Sequence, residues 1–396
     1  MNLPTTKTFL AALLATCCAL AAPLPAAAQE ETGSALDCML EILNYKERLE
    51  ACATALDEAA SDDRRSLILS SRAGLFAQQG EFDRARSDLS ASLVLDPGNA
   101  DAWIRASALS LRMELPVEAL AQASMAVGLS PEDSSAYLHR ALALSAIDPQ
   151  RCVEDASSAI ELAMASTTRP EDLPQGIRAM AIGSQVRGDC LAAAGDPGMA
   201  IDDLLAARAL DPQRLVGASL VHAYVATGDT DAAMAEVERL EEDAPDARTG
   251  YLRFVVLDAA GERKAALREI AALHKAEPDD IAIANDYAWT LFLEGDTARA
   301  AEVIDPFFSS RARIGSVTSP VADTYAHILA AEGDAEAARS MFRLAVRLAD
   351  TAQLETYAEA LERVGFAPGA VSRAEVGKAV DACVVELGDG CRLFEE

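Results

Sequence analysis

A short string recurs along this chain: a glycine, an acid directly after it, and an alanine five places on. It reads Gly80-Glu81…Ala85, Gly195-Asp196…Ala200, Gly228-Asp229…Ala233, Gly261-Glu262…Ala266, Gly295-Asp296…Ala300 and Gly333-Asp334…Ala338. The last four steps between glycines are 33, 33, 34 and 38 residues. That period is the size of one helical hairpin. It predicts a stack of hairpins in which each unit buries its apolar face only against its neighbours.

Each part of the string has a physical reason. Glycine adopts the left-handed turn after a helix without the steric cost other residues meet. The acid that follows is placed to cap the next helix and to face its positive end. Proline closes the second helix at Pro97, Pro131, Pro212, Pro245 and Pro278. Small residues recur where the two helices should cross, as in Gly188/Ala200/Ala207 and Ala326/Ala338/Ala345. Gly188-Asp189…Ala193 matches the string but falls out of phase, inside a first helix. Glu114 and Asp148 stand where repeats two and three should have the turn glycine, each near a proline (Pro116, Pro149) expected to shape the turn.

With Trp103, Ser107, Ala119, Ala126 and Pro131 at matching places in the second unit, the chain resembles the tetratricopeptide repeat. Eight units can be traced, at 66–99, 100–133, 133–166, 181–214, 214–247, 247–280, 281–314 and 319–352. The resemblance implies an all-α fold: an α-solenoid, a right-handed superhelix of antiparallel helix hairpins, with about eight tetratricopeptide repeats and helical caps. The expected domains are a signal peptide at 1–28, an N-terminal cysteine-containing cap at 29–65, the array at 66–352 with an insertion near 166–176, and capping helices with a tail at 353–396. In this family ligands lie against the first helices. Its contact places fall here on Arg112, Gln185, Asp189, His222, Arg248, Tyr251, Asn285, Trp289, Asp323 and His327. Trp103 is at a packing place. Family members that grip a C-terminal carboxylate do so with Lys or Arg and Asn; Ser70 and Gly74 stand at comparable places, so that clamp does not carry over.

The first residues are of a different kind. Lys7 is their only charge, an apolar run follows from Phe9 to Ala22, and Ala26-Ala27-Ala28 offers a small-residue cleavage site. This is the pattern of a secretory signal peptide. Pro23 and Pro25 break the run before it reaches membrane-spanning length. The rival reading is a lipid anchor on Cys17, where Thr16 is a poor fit to the preceding small residue. The expected location is therefore the periplasm or the medium.

Cysteine usage agrees with export. Cys38, Cys52, Cys152, Cys190, Cys383 and Cys391 remain after cleavage, an even number that suggests disulfides. Position groups them as Cys38–Cys52, Cys152–Cys190 and Cys383–Cys391. The first pair requires a bend near Asn44-Tyr45, since one straight helix would set the two about 21 Å apart. The second would staple the array across its insertion; two buried free thiols are the other reading of that pair. Spacings short enough for a four-cysteine zinc site are absent from the sequence.

No nucleophile elbow, phosphate loop, dinucleotide glycine motif or paired-histidine metal motif occurs. His139, His222, His274 and His327 fall in different repeats. Adjacent acids such as Asp62-Asp63, Asp202-Asp203 and Asp279-Asp280 diverge by about 100° on a helix and read as solvated faces. Asp229-Thr230-Asp231 begins like a calcium loop without its remaining ligands. The formal charge is −29, or −30 once Lys7 is removed, which repels nucleic acid and confers solubility. The sequence thus predicts a non-enzymatic scaffold with no cofactor and no metal, binding a protein or peptide in envelope assembly, secretion or complex organisation. Two rivals are a self-associating spacer, which would form homo-oligomers, and an enzyme using His222 or His327 with nearby acids.

Overall fold

A computed structural model describes residues 33–39, 43–167, 169, 172–243, 246–309, 314–388 and 391. The signal-like segment at 1–28, with Lys7 and Cys17, lies outside the described residues. Twenty α-helices and one short 3-10 turn make up the regular structure among them, with no strand. The chain divides into two compact units, the first ending at Thr227 and the second starting at Gly228. The break falls at the turn glycine of the fifth repeat.

The N-terminal unit contains α1 (Gly33–Met39), α2 (Tyr45–Glu58), α3 (Asp62–Gln78), α4 (Phe82–Leu95), α5 (Ala100–Arg112), α6 (Pro116–Leu129), α7 (Ser134–Leu144), α8 (Pro149–Ser166), α9 (Leu173–Ala193), α10 (Pro197–Leu210) and α11 (Gly217–Thr227). The C-terminal unit contains α12 (Thr230–Asp243), α13 (Ala247–Ala259), α14 (Arg263–Ala276), α15 (Ile281–Leu293), α16 (Thr297–Ser309), α17 (Ser319–Ala331), α18 (Ala335–Leu348), α19 (Thr351–Arg363) and α20 (Arg373–Leu387). Within each unit consecutive helices pack as hairpins. In the N-terminal unit the first helices α3, α5, α7 and α9 also touch in series, as do α15 and α17 in the C-terminal unit.

All six glycines of the recurring string have positive φ, between +73° and +88°. Glu114 takes the same left-handed turn at φ +58°, the only non-glycine among the described residues to do so. Asp148 does not. Its φ is −151°, and its side chain caps α8 by accepting from the Arg151 N–H. The acid after the glycine divides by length. Asp196, Asp229, Asp296 and Asp334 each accept from a backbone N–H of the following helix. Glu81 and Glu262 make no such cap. Glu81 instead accepts from the Tyr45 hydroxyl and from Arg84.

Small residues sit at the crossings, and Ala200, Ala207, Ala326, Ala338 and Ala345 are fully buried. The out-of-phase Gly188 has a packing reason. A methyl group there would approach Leu204 Cγ at 3.0 Å and the Ala200 carbonyl at 3.1 Å. Both chain ends of the described structure are covered. Ala35, Cys38, Cys52 and Ala55 pack on Ile68 and Leu75 of the first hairpin, while α20 lays Val376, Val380 and Cys383 into the core of the C-terminal unit. Disulfides join Cys38 to Cys52, Cys152 to Cys190 and Cys383 to Cys391, with Cα separations of 4.7, 6.0 and 5.6 Å. Asn44 caps α2 in the segment that turns the chain back toward Cys38.

Candidate functional site

The first helices of the N-terminal unit carry four of the ten expected contact residues. Arg112 is half-buried, its guanidinium 5.0 Å from the centre of the Phe82 ring. Gln185 is buried one turn before Asp189 on α9, and its Oε1 accepts from Arg214 Nη1 at 2.8 Å. Asp189 accepts a hydrogen bond from the Ser219 hydroxyl on α11. Its other oxygen, Oδ2, is closed to water and has no partner. Burial pushes this carboxyl up to about 7, against the opposing pull of Ser219. His222 is half-buried one turn beyond Ser219. The fold therefore brings Gln185, Asp189, Ser219 and Arg214 together, and leaves Arg112 two first helices earlier.

The remaining six lie in the C-terminal unit. Arg248 is exposed at the start of α13. Tyr251 donates to Asp286 Oδ2 at 2.7 Å, and Asn285 Nδ2 donates to Asp286 Oδ1 at 3.3 Å. Burial raises Asp286 to about 6 despite these two donors, and raises the Tyr251 phenol as well. Asn285 is itself buried, with an Oδ1 that finds no acceptor role. Trp289 is half-buried, stacked on Phe292 at 5.3 Å and edge-on to His327 at 5.6 Å. Asp323 accepts from the Tyr357 hydroxyl at 2.5 Å and lies 3.5 Å from His327 Nε2. Burial pushes Asp323 up to about 7. His327 is 2% exposed, closed in by Trp289, Phe292 and Phe342.

Sequence reasoning missed the partners that complete these groups. Asp286, Tyr357, Ser219 and Arg214 were readable only in part. An acid inside the apolar run of α15 and tyrosines 34 or 35 residues from an aspartate were the available signals. It also missed a repeated clamp within hairpins. Arg72 binds Asp88, Arg140 binds Asp155 and Arg187 binds Asp203, each with two nitrogens on two oxygens at 2.7–2.9 Å. Trp103 is held in the packing, with its indole N–H on the Pro97 carbonyl at 2.9 Å. Ser70 donates to the Leu67 carbonyl within its own helix.

Chemically, the inner groups are carboxylates and amides met by hydroxyls, with aromatic walls. Asp286 and Asp323 have both oxygens engaged within the chain, whereas Asp189 Oδ2 and Asn285 Oδ1 have no hydrogen-bond partner. His327 sits behind rings and is poorly placed to reach a substrate atom. No helix among the described residues is long and apolar enough to cross a membrane.

No protein-family model matches the chain, and no curated protein matches it. Solved structures similar to it include PilW, a widely conserved type IV pilus biogenesis factor, at 20% identity over 54% of this chain and 94% of that one, TM-score 0.47. A tetratricopeptide repeat protein from Parabacteroides merdae is 15% identical over 72% of this chain and 94% of that one, TM-score 0.39. YrrB, a TPR protein with an unusual peptide-binding site, is 19% identical over 53% of this chain and 98% of that one, TM-score 0.37. Six left-handed glycine turns, helix hairpins recurring at close to 34 residues and small residues at the buried crossings give this chain an all-α solenoid fold of the kind built from tetratricopeptide-type hairpins.

Proposed function

We propose that the chain is a non-enzymatic scaffold that binds a protein or peptide along the first helices of its hairpins. One observation carries the reading. Polar and aromatic side chains gather at equivalent places on adjacent first helices: Gln185 and Asp189 beside Ser219 in one unit, and Asn285 and Trp289 beside Asp323 and His327 in the other. An extended chain lying across such a face passes the half-buried Asp189 and Trp289, with Gln185, Asn285, Asp323 and His327 set behind them. Three disulfides and the signal-like start support a periplasmic setting, where the chain would serve envelope assembly, secretion or complex organisation.

A photoreactive residue at Trp289, introduced in cells, tests this. The expected result is one dominant crosslinked protein that is lost when the probe is moved to the outer face of α18, for instance at Arg339. Equal yields at both places overturn the proposal.

A self-associating spacer has one observation in its favour. Val94, Val117 and Leu215 of the N-terminal unit are 78%, 73% and 75% exposed. Light scattering over a wide concentration range distinguishes the two readings, because a scaffold without self-association keeps a constant monomer mass.

A further inference from the structure

Three aspartates of the first helices, Asp323 buried and Asp189 and Asp286 half-buried, differ in how their oxygens are satisfied. Asp286 has a donor on each oxygen, from Tyr251 and Asn285. Asp323 has the Tyr357 hydroxyl on one oxygen and faces His327 with the other. Asp189 is half-buried, with Ser219 on one oxygen and no partner on Oδ2, which lies just beneath the surface that the residue keeps. An unmet buried carboxylate oxygen is costly unless a donor arrives.

Nearby cations do not supply one. Arg187, two residues back, is held by Asp203 through both Nε and Nη2 at 2.7 Å. Arg214 reaches Gln185 at 2.8 Å and lies 3.6 Å from Asp211. Elsewhere in this unit arginine takes both oxygens of an aspartate, as its planar fork favours. At Asp189 only one oxygen lacks a partner. A single oxygen suits a compact ammonium, whose charge sits at one nitrogen and whose other N–H groups can turn to further acceptors or to water, better than a planar fork that favours paired oxygens.

We propose that Asp189 anchors a primary ammonium group of a bound peptide, through Oδ2, between α9 and α11 beside Gln185 and Ser219. The ammonium belongs to a lysine side chain or to a free chain terminus. The chain's formal charge of −29 favours the approach of such a group over that of an acidic segment. The inference rests on the peptide-binding reading above and specifies the chemistry of one of its contacts.

Calorimetric titration of the full mature chain with short peptide pools tests it. The pools share random flanking positions and carry, at one fixed place, lysine, Nε-acetyl-lysine or glutamate, all with blocked amino termini. A fourth pool has a free amino terminus and fixed alanine. The lysine or the free-terminus pool is expected to bind about tenfold more tightly than the acetyl-lysine and glutamate pools, the scale of one charge-assisted hydrogen bond. Asp189→Asn should erase that preference, with folding checked by circular dichroism. Glu132→Gln, the same charge change at an exposed site, should leave it intact.

Which of the two ammonium pools binds identifies the source. If Asp189→Asn and Glu132→Gln weaken binding equally, only long-range charge is acting and the site assignment falls. If all four pools bind alike, the ammonium anchor falls while the scaffold reading stands. If none binds the wild-type chain, both fall.

Discussion

The two units solve the same packing problem with different side chains. In the N-terminal unit the described buried aromatics reduce to Phe76, and the core is a series of separate alanine- and leucine-rich patches. Cross-bracing comes from the Arg–Asp clamps at 72–88, 140–155 and 187–203 and from two of the three disulfides. In the C-terminal unit Phe254, Tyr287, Phe292, Phe307, Phe342 and Tyr357 are buried, and one core runs from Phe254 to Cys391. There the carboxylates of the first helices bond to phenols. Small-residue cores bury little area per hairpin, so charged clamps inside the hairpins add to them; the aromatic core gains more from burial and ring contacts, and its bonds between helices include phenol–carboxylate pairs and the arginine pairs Arg253–Glu241 and Arg343–Asp381.

That contrast predicts different sensitivities, best read by hydrogen exchange resolved to each unit. Phe342 is fully buried and edge-on to His327, so Phe342→Ala should cost the C-terminal unit about 4 kcal/mol and leave protection in α3 to α10 unchanged. Replacing Cys152 and Cys190 with alanine reopens a loop spanning 38 residues. It should lower the stability of the N-terminal unit by about 3–4 kcal/mol, measured from its own denaturant midpoint. Comparable losses in both units from either variant would dissolve the comparison.

Titration sharpens it further. Asp286 holds its proton up to about pH 6 in the folded chain, above the ordinary carboxyl value of 3.8 in the unfolded one. A raised carboxyl means the folded state binds the proton more tightly. Its favourable contribution is therefore complete below about pH 4 and is lost as pH rises through about 6. The loss is at most roughly 3 kcal/mol, since each tenfold gain in proton affinity is worth about 1.4 kcal/mol. Asp286→Asn should flatten the stability of the C-terminal unit between those limits, as followed by thermal unfolding across pH.

Removing one partner of a clamp has a smaller effect, because these pairs are partly solvated. Asp203→Ala leaves Arg187 without its bidentate acceptor and should cost about 2 kcal/mol. A double-mutant cycle with Arg187→Ala isolates the pair. The smallest effect belongs to the turns. Gly195→Ala, at φ +88°, should cost about 1 kcal/mol, whereas Glu114→Gly, at φ +58°, should gain a similar amount. If Glu114→Gly destabilises, the side chain's interactions outweigh its backbone strain.

Much of the candidate face was legible because contact places follow the repeat register. Asn285, Trp289, Asp323 and His327 do come onto adjacent helices. Register could not show which of them would be sealed. Trp289 keeps part of its surface, whereas His327 disappears behind three rings, since that depends on neighbours 15 to 38 residues away. It also could not distinguish Asp from Glu after the turn glycine. The shorter side chain caps the helix and the longer one reaches elsewhere.

The sequence by itself determined the hairpins, their period and their turns, because these rest on local conformational preference: left-handed glycine, proline stops and alanine at close crossings. The tertiary structure alone decided that the array divides at Gly228, which arginines are consumed by clamps, and that Asp189 keeps one oxygen without a partner. Those outcomes depend on burial and on partners distant in the chain. The recurring string appears in both units, interrupted at Glu114 and Asp148 in the first, and it does not by itself mark where they divide.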